Sequence, residues 1–93
     1  MASFRDLRAR LTGAGLELKF AVVDGAAADT AIAVSGIKPG DALVAVLEFQ
    51  PPTASSGSAI VADRAAITTV GNGSISIGAD TTGNQLLVVW WAT

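Results

Sequence analysis

Cysteine, histidine and tyrosine are all absent from this 93-residue sequence. Without thiols there is neither a disulfide framework nor a thiolate metal site, and assembly in a reducing compartment is permitted. Without imidazole the commonest general acid and base is missing, and with thiols also gone the usual nucleophile–base pairs cannot form. Carboxylates remain, but Asp24, Asp29, Asp41, Asp63 and Asp80 all fall at turn signals, where aspartate serves the backbone. Enzymatic activity and a cofactor are therefore not expected. "DTTGN" at 80–84 offers oxygens at alternate positions, yet it lacks the further acids and terminal glutamate of a calcium loop and reads as a plain turn. No metal site is expected, and Gly71 and Gly73 join two strand-like segments, which excludes a phosphate loop.

Charge is scarce as well, at 15% of residues against 51% hydrophobic, the opposite of a disordered chain. One domain fits the length, with a thin core, because chains of this size bury little more than about 60% of their unfolded surface. The charge is also uneven. Arg5, Arg8, Arg10 and Lys19 face only Asp6 and Glu17 in the first twenty residues, whereas the remainder is acidic. An acidic body with Lys19, Lys38 and Arg64 scattered along it does not suit nucleic acid. Long apolar runs are missing too: the longest, residues 86–92, falls far short of the roughly 20 residues that span a bilayer. The first residues carry no apolar stretch of signal-peptide length. The expectation is a soluble protein that enters no membrane and has no export signal of its own.

Along the chain, residues 1–14 read as a short helix or arm and 15–93 as one β-domain. Ser3 and Asp6 resemble a capping box, and Phe4, Leu7 and Leu11 share one helical face before Gly13. So short a helix is marginal alone and needs a surface, either its own sheet or another molecule. From Leu16 the period becomes two: Leu16, Leu18, Phe20 and Val22 alternate with Glu17, Lys19, Ala21 and Val23, and the heavier set is assigned to the core. Asp24-Gly25 and Pro39-Gly40 mark turns around a short strand with Ile32 and Val34 inward. "ALVAVLEF" follows as a strand, with Leu43, Leu47 and Phe49 inward and Glu48 reaching solvent. "QPPTASSGS" at 50–58 reads as an exposed, mobile loop, and two short strands meet near Asp63-Arg64. "GNG" at 71–73 predicts a hairpin with a type I′ turn, setting Val70 opposite Ile75 and Thr68 opposite Ile77. About seven short strands describe an all-β fold, a compact antiparallel β-sandwich or small barrel.

The chain also says one thing twice, 43 residues apart. Ile32, Val34, Gly40, Asp41, Leu43, Val44 and Val46 recur as Ile75, Ile77, Gly83, Asn84, Leu86, Leu87 and Val89. This is either pseudo-symmetry or convergence of composition. The shift sets Trp90 on Leu47 and Trp91 on Glu48, which assigns Trp90, with Leu86 and Val88, to the core. Leu87, Val89 and Trp91 then form an outer apolar face, covered either by the same domain or by another subunit.

"GAAADTAIAVSGIKPGDALVAVLEF" and "ITTVGNGSISIGADTTGNQLLVVWW" resemble the small virion proteins of tailed bacteriophages, in particular capsid decoration or cement proteins. That resemblance implies a compact β-domain, oligomeric as a homotrimer, on the capsid surface of a virion assembled in the host cytoplasm. Its partners would be the major capsid protein and itself, and it would clamp neighbouring capsomers from outside. Phe4, Arg5, Leu7, Arg8 and Leu11 would contact the shell, and Leu87, Val89 and Trp91 would serve self-association. A minor tail or connector protein, or a β-sandwich module that binds glycans or a host surface, are the alternatives.

Overall fold

The structure, a computed structural model, describes residues 17–53, 55 and 57–92. The arm at 1–14, its proposed contacts Phe4, Arg5, Leu7, Arg8 and Leu11, and the core candidate Leu16 lie outside the described residues. The described chain is all-β. Its strands are β1 (Glu17–Asp24), β2 (Ile32–Ala33), β3 (Ala42–Gln50), β4 (Ala59–Asp63), β5 (Thr68–Gly71), β6 (Ser74–Ile77) and β7 (Gln85–Ala92), with one 3-10 turn (Ala65–Ile67) before β5. A four-stranded antiparallel sheet in the order β1-β7-β3-β4 packs on a three-stranded one in the order β2-β6-β5, as a small sandwich.

The core between the sheets consists of Ile32, Val34, Ile37, Val46, Ile75, Ile77, Leu86, Val88 and Trp90. Antiparallel partners share a face, so the register gives the inward rows of the larger sheet: Lys19–Trp90–Leu43, Ala21–Val88–Val46 and Val23–Leu86–Glu48. The β1 assignment is therefore corrected. Its period of two holds, but Leu18, paired with Trp91, lies on the outer face with Phe20 and Val22, which are 64% and 60% exposed, while Ala21 and Val23 pack on the core. Both alternating sets are apolar, and the lighter set is the one that fits beneath Trp90 and Leu86.

A second correction concerns β3. Leu43 pairs with Trp90 and Ala45 with Val89, so Val44 is an extra residue, a bulge that reverses the alternation. Leu43 stays against the core, but beyond the bulge Val46 turns inward and Leu47 and Phe49 turn outward, where they are half-buried. Glu48, expected in solvent, is inward and only 3% exposed.

The β5–β6 hairpin has the register expected of it, with Val70 opposite Ile75 and Thr68 opposite Ile77. Its turn is not type I′, since Gly73 has positive φ and Asn72 does not. The cause is tertiary: Gly73 N–H donates to the Ile37 carbonyl at 2.7 Å and the Gly73 carbonyl accepts from Val34 N–H at 2.9 Å. These bonds fix the turn against the segment after β2.

The repeat has a structural counterpart. β2 pairs with β6 and β3 with β7, and Ile32 lies directly opposite Ile75. Asp41 N–H donates to the Lys38 carbonyl and Asn84 N–H to the Thr81 carbonyl, with Gly40 and Gly83 both at positive φ. Each half thus ends its loop on the same four-residue turn.

Thr81 ties the halves together. Its hydroxyl accepts from Ala26 N–H at 3.0 Å, and Gly25 lies so close that an added Cβ would stand 2.0 Å from the Thr81 carbonyl oxygen. Gly25→Ala should therefore lower stability by about 2–3 kcal/mol, measured as a fall in the urea midpoint with unchanged slope. Gly57→Ala, with nothing within 4 Å of the new Cβ, should leave the midpoint within about 0.5 kcal/mol of the parent.

A candidate association surface

The face of the four-stranded sheet turned away from the core is apolar across three rows. Leu18–Trp91–Ala42, Phe20–Val89–Ala45 and Val22–Leu87–Leu47 follow from the register, with Phe49 and Ile60 paired beyond them and Asp24–Gln85 at the end. Phe20, Val22 and Ile60, at 64%, 60% and 69% exposure, are the most open large apolar side chains among the described residues. Leu47, Phe49, Leu87, Val89 and Trp91 are half-buried by their neighbours in the same sheet. The sheet spans four strands about 4.8 Å apart and about eight residues of 3.3 Å rise, so the face measures roughly 500 Å² in plan. That is near the upper end of the largest apolar patches on soluble monomers, about 300–600 Å².

The structure places all three self-association candidates, Leu87, Val89 and Trp91, on this face. It adds Phe20, Val22 and Ile60, which periodicity had assigned to a core or left unassigned. The available cue was the composition of β1 and β7, whose residues are apolar at both parities in the central stretch. Trp90, next to Trp91, is buried at 1% exposure, and its indole N–H finds no acceptor among the described residues.

The polar contacts inside the sandwich join separate segments of the chain. Glu48 Oε1 accepts from Arg64 Nε at 2.9 Å, and Oε2 accepts from Asn84 Nδ2 at 2.7 Å. Both carboxylate oxygens are thus satisfied, and three separate segments are joined: β3, the residue after β4, and the residue before β7. Asp63 Oδ1 accepts from Val46 N–H and Ala65 N–H, anchoring the turn that presents Arg64. At the exposed turn before β7, Asp80 accepts from Thr82 N–H, and Thr82 holds its carboxyl below the ordinary value of 3.8. Among the described residues no group of three or more metal-capable side chains converges, and no helix is long and apolar enough to cross a membrane.

No protein-family model, no curated protein and no solved structure matches the chain.

Arg64→Ala should destabilise the domain by about 2 kcal/mol, because it removes one charge-assisted bond from a buried carboxylate that Asn84 still partly satisfies. Adding Glu48→Leu should recover much of that loss, since the inward position beside Val23 and Leu86 then holds no charge. Chemical denaturation of both variants measures the sign.

Proposed function

We propose that this chain is a structural subunit of a tailed-bacteriophage virion, a capsid decoration protein that binds the outside of the shell and stabilises contacts between capsomers. The observation that carries the reading is the outer apolar face of the larger sheet, which no other described element covers. A domain whose core is complete on one side of a sheet gains little for its own fold from Phe20, Val22 and Ile60 on the other. Such side chains lower free energy only when another surface covers them. The mixture of Phe20, Phe49 and Trp91 with aliphatic residues, bordered by Asp24, Gln85 and Asp63, has the make-up of an interface centre and its polar rim.

Its partners in this reading are the major capsid protein and further copies of itself, as a homotrimer. A protein that binds the assembled shell and not separated capsomers shifts the equilibrium toward the shell, by an amount that grows with its free concentration relative to its Kd. No catalytic step is required. A tail or connector location uses the same surface at much lower copy number. The glycan-binding alternative has less support, because Trp91 is flanked in its row by Leu18 and Ala42, which offer no side-chain hydrogen bonds to a sugar.

Quantitative mass spectrometry of gradient-purified virions should find the protein at a copy number of the same order as the capsid protein; a handful of copies supports the tail, and absence overturns the reading. Phe20→Glu with Val22→Glu should leave the urea midpoint within about 0.5 kcal/mol of the parent, as substitution at exposed positions does. The same double variant should lose association in light scattering and lose binding to shells.

A further inference from the structure

We infer that Asn72-Gly73 is a latent modification site, a succinimide-forming pair that the folded domain holds inert by fixing the Gly73 amide against the turn at 34–37. The inference concerns the isolated chain and does not rest on the virion reading.

The reaction needs only the chain and water. The backbone nitrogen of the residue after asparagine gives up its proton and attacks the side-chain amide carbon, a C–N bond closes a cyclic imide, and ammonia leaves. Water then opens the ring at either carbonyl, giving aspartate or isoaspartate. Glycine is the least hindered second residue, since it has no Cβ, and the chain has one Asn-Gly pair, at 72–73. Its other asparagine, Asn84, precedes Gln85, and the Asn84 amide is held by Glu48 Oε2 at 2.7 Å. Asn72 is exposed on the turn between β5 and β6, so water and base reach it.

The attacking nitrogen, by contrast, is engaged. Gly73 N–H donates to the Ile37 carbonyl at 2.7 Å, and Val34 N–H donates to the Gly73 carbonyl at 2.9 Å. Val34 and Ile37 are the two ends of a turn of their own, closed by Ile37 N–H on the Val34 carbonyl at 3.3 Å, with Gly36 at φ 91° between them. Two turns are thus clasped through both polar groups of one glycine. The clasp is rooted in the core, because Val34 and Ile37 are 0% and 1% exposed. Freeing the Gly73 nitrogen to lose its proton and reach the Asn72 side chain therefore requires moving core residues or unpairing Gly71 from Ser74. Asp24-Gly25, the other pair prone to this ring closure, is held in the same way: Gly25 N–H donates to the Asn84 carbonyl at 2.8 Å.

Modification is then confined to the moments when the clasp is open, and closing does not reverse it. Isoaspartate adds an atom to the backbone, so the turn between Gly71 and Ser74 no longer sets both Gly73 groups opposite Val34 and Ile37. The chain keeps a covalent record of local opening.

Incubated at mildly alkaline pH, the full folded chain should gain the amide-to-acid mass at Asn72 about ten-fold or more slowly than the same chain in concentrated urea, followed by intact mass and peptide mapping. Equal rates in the two conditions, or no product in either, would overturn the proposal. Gly36→Ala tests the clasp itself: the added Cβ meets nothing within 4 Å, so it strains only the backbone of the turn at 34–37. Gly83→Ala, at φ 87° and also with nothing within 4 Å, is the matched control in the turn before β7. With urea midpoints measured for both, Gly36→Ala should raise the folded-state rate at Asn72 about three-fold or more beyond what its global stability explains, and Gly83→Ala should not. A rise in step with global stability in both variants overturns the clasp. In the parent, the Gly73 amide should exchange with deuterium about ten-fold or more slowly than in an open turn. Exchange at the open-turn rate overturns the proposal even where Gly36→Ala does not fold.

Discussion

The single extra residue at Val44 decides which side of the larger sheet becomes the interior. β3 and β7 form its centre, and every inward row passes through both. Up to Leu43 the strand's alternation agrees with Trp90 on its neighbour; with no bulge, Leu47 and Phe49 would follow inward and Glu48 would face solvent. With the bulge, Val46 and Glu48 are the inward pair. The smaller valine lies beside Val88 beneath the three-stranded sheet, and the large side chains of β3 pass to the outer face. The carboxylate that this brings inside then needs partners, and Arg64, just after β4, and Asn84, just before β7, supply them. A one-residue irregularity thus accounts both for the buried charge network and for the outward placement of Leu47 and Phe49.

This also explains what could be read from the amino-acid order and what could not. The β5–β6 register was legible because Asn72-Gly73 separates runs with one polar and one apolar parity, so one pairing alone buries Ile75 and Ile77. The strands around 32 and 42, the Pro39-Gly40 turn and the burial of Trp90 were legible for similar reasons. In β1 both parities are apolar near the centre, and period-two reasoning cannot choose between them; weighting by size put Phe20 and Val22 inside, whereas the space beneath Trp90 and Leu86 is filled by Ala21 and Val23. The bulge at Val44 has no glycine or proline to announce it. The burial of Trp90 was inferred from Leu47 by the 43-residue shift, and Leu47 in fact faces outward, so that inference reached the right ring by an invalid step. The face that is the candidate site was therefore legible in part, at Leu87, Val89 and Trp91, and hidden where it depended on the facing of β1.

The repeat is real at the level of backbone and incomplete at the level of side chains. Strands that correspond by the 43-residue shift are antiparallel neighbours in both sheets, as a two-fold relation requires. The turns at Gly40 and Gly83 carry the same hydrogen bond and the same positive φ. Asymmetry enters where the halves do different work: Asp41 turns its carboxylate to Lys38 N–H within its own turn, while Asn84 reaches across to Glu48. The bulge lies in one half only, and past it the correspondence of inward and outward positions is lost.

The size of the outer face sets what kind of association it can support. Two such faces pressed together would bury roughly 1,000 Å² in all, at the lower limit for a specific interface and well under the usual value of about 1,600 Å². A contact of that size between two such faces, with few polar groups to fix its orientation, favours weak pairwise binding. It becomes lasting when several contacts engage at once, because each linked contact then acts at a high effective concentration. A lattice of repeated sites provides that multiplicity, whereas a single soluble partner does not. An apolar face of this size on a small acidic sandwich is thus suited to binding that depends on an ordered array of partners.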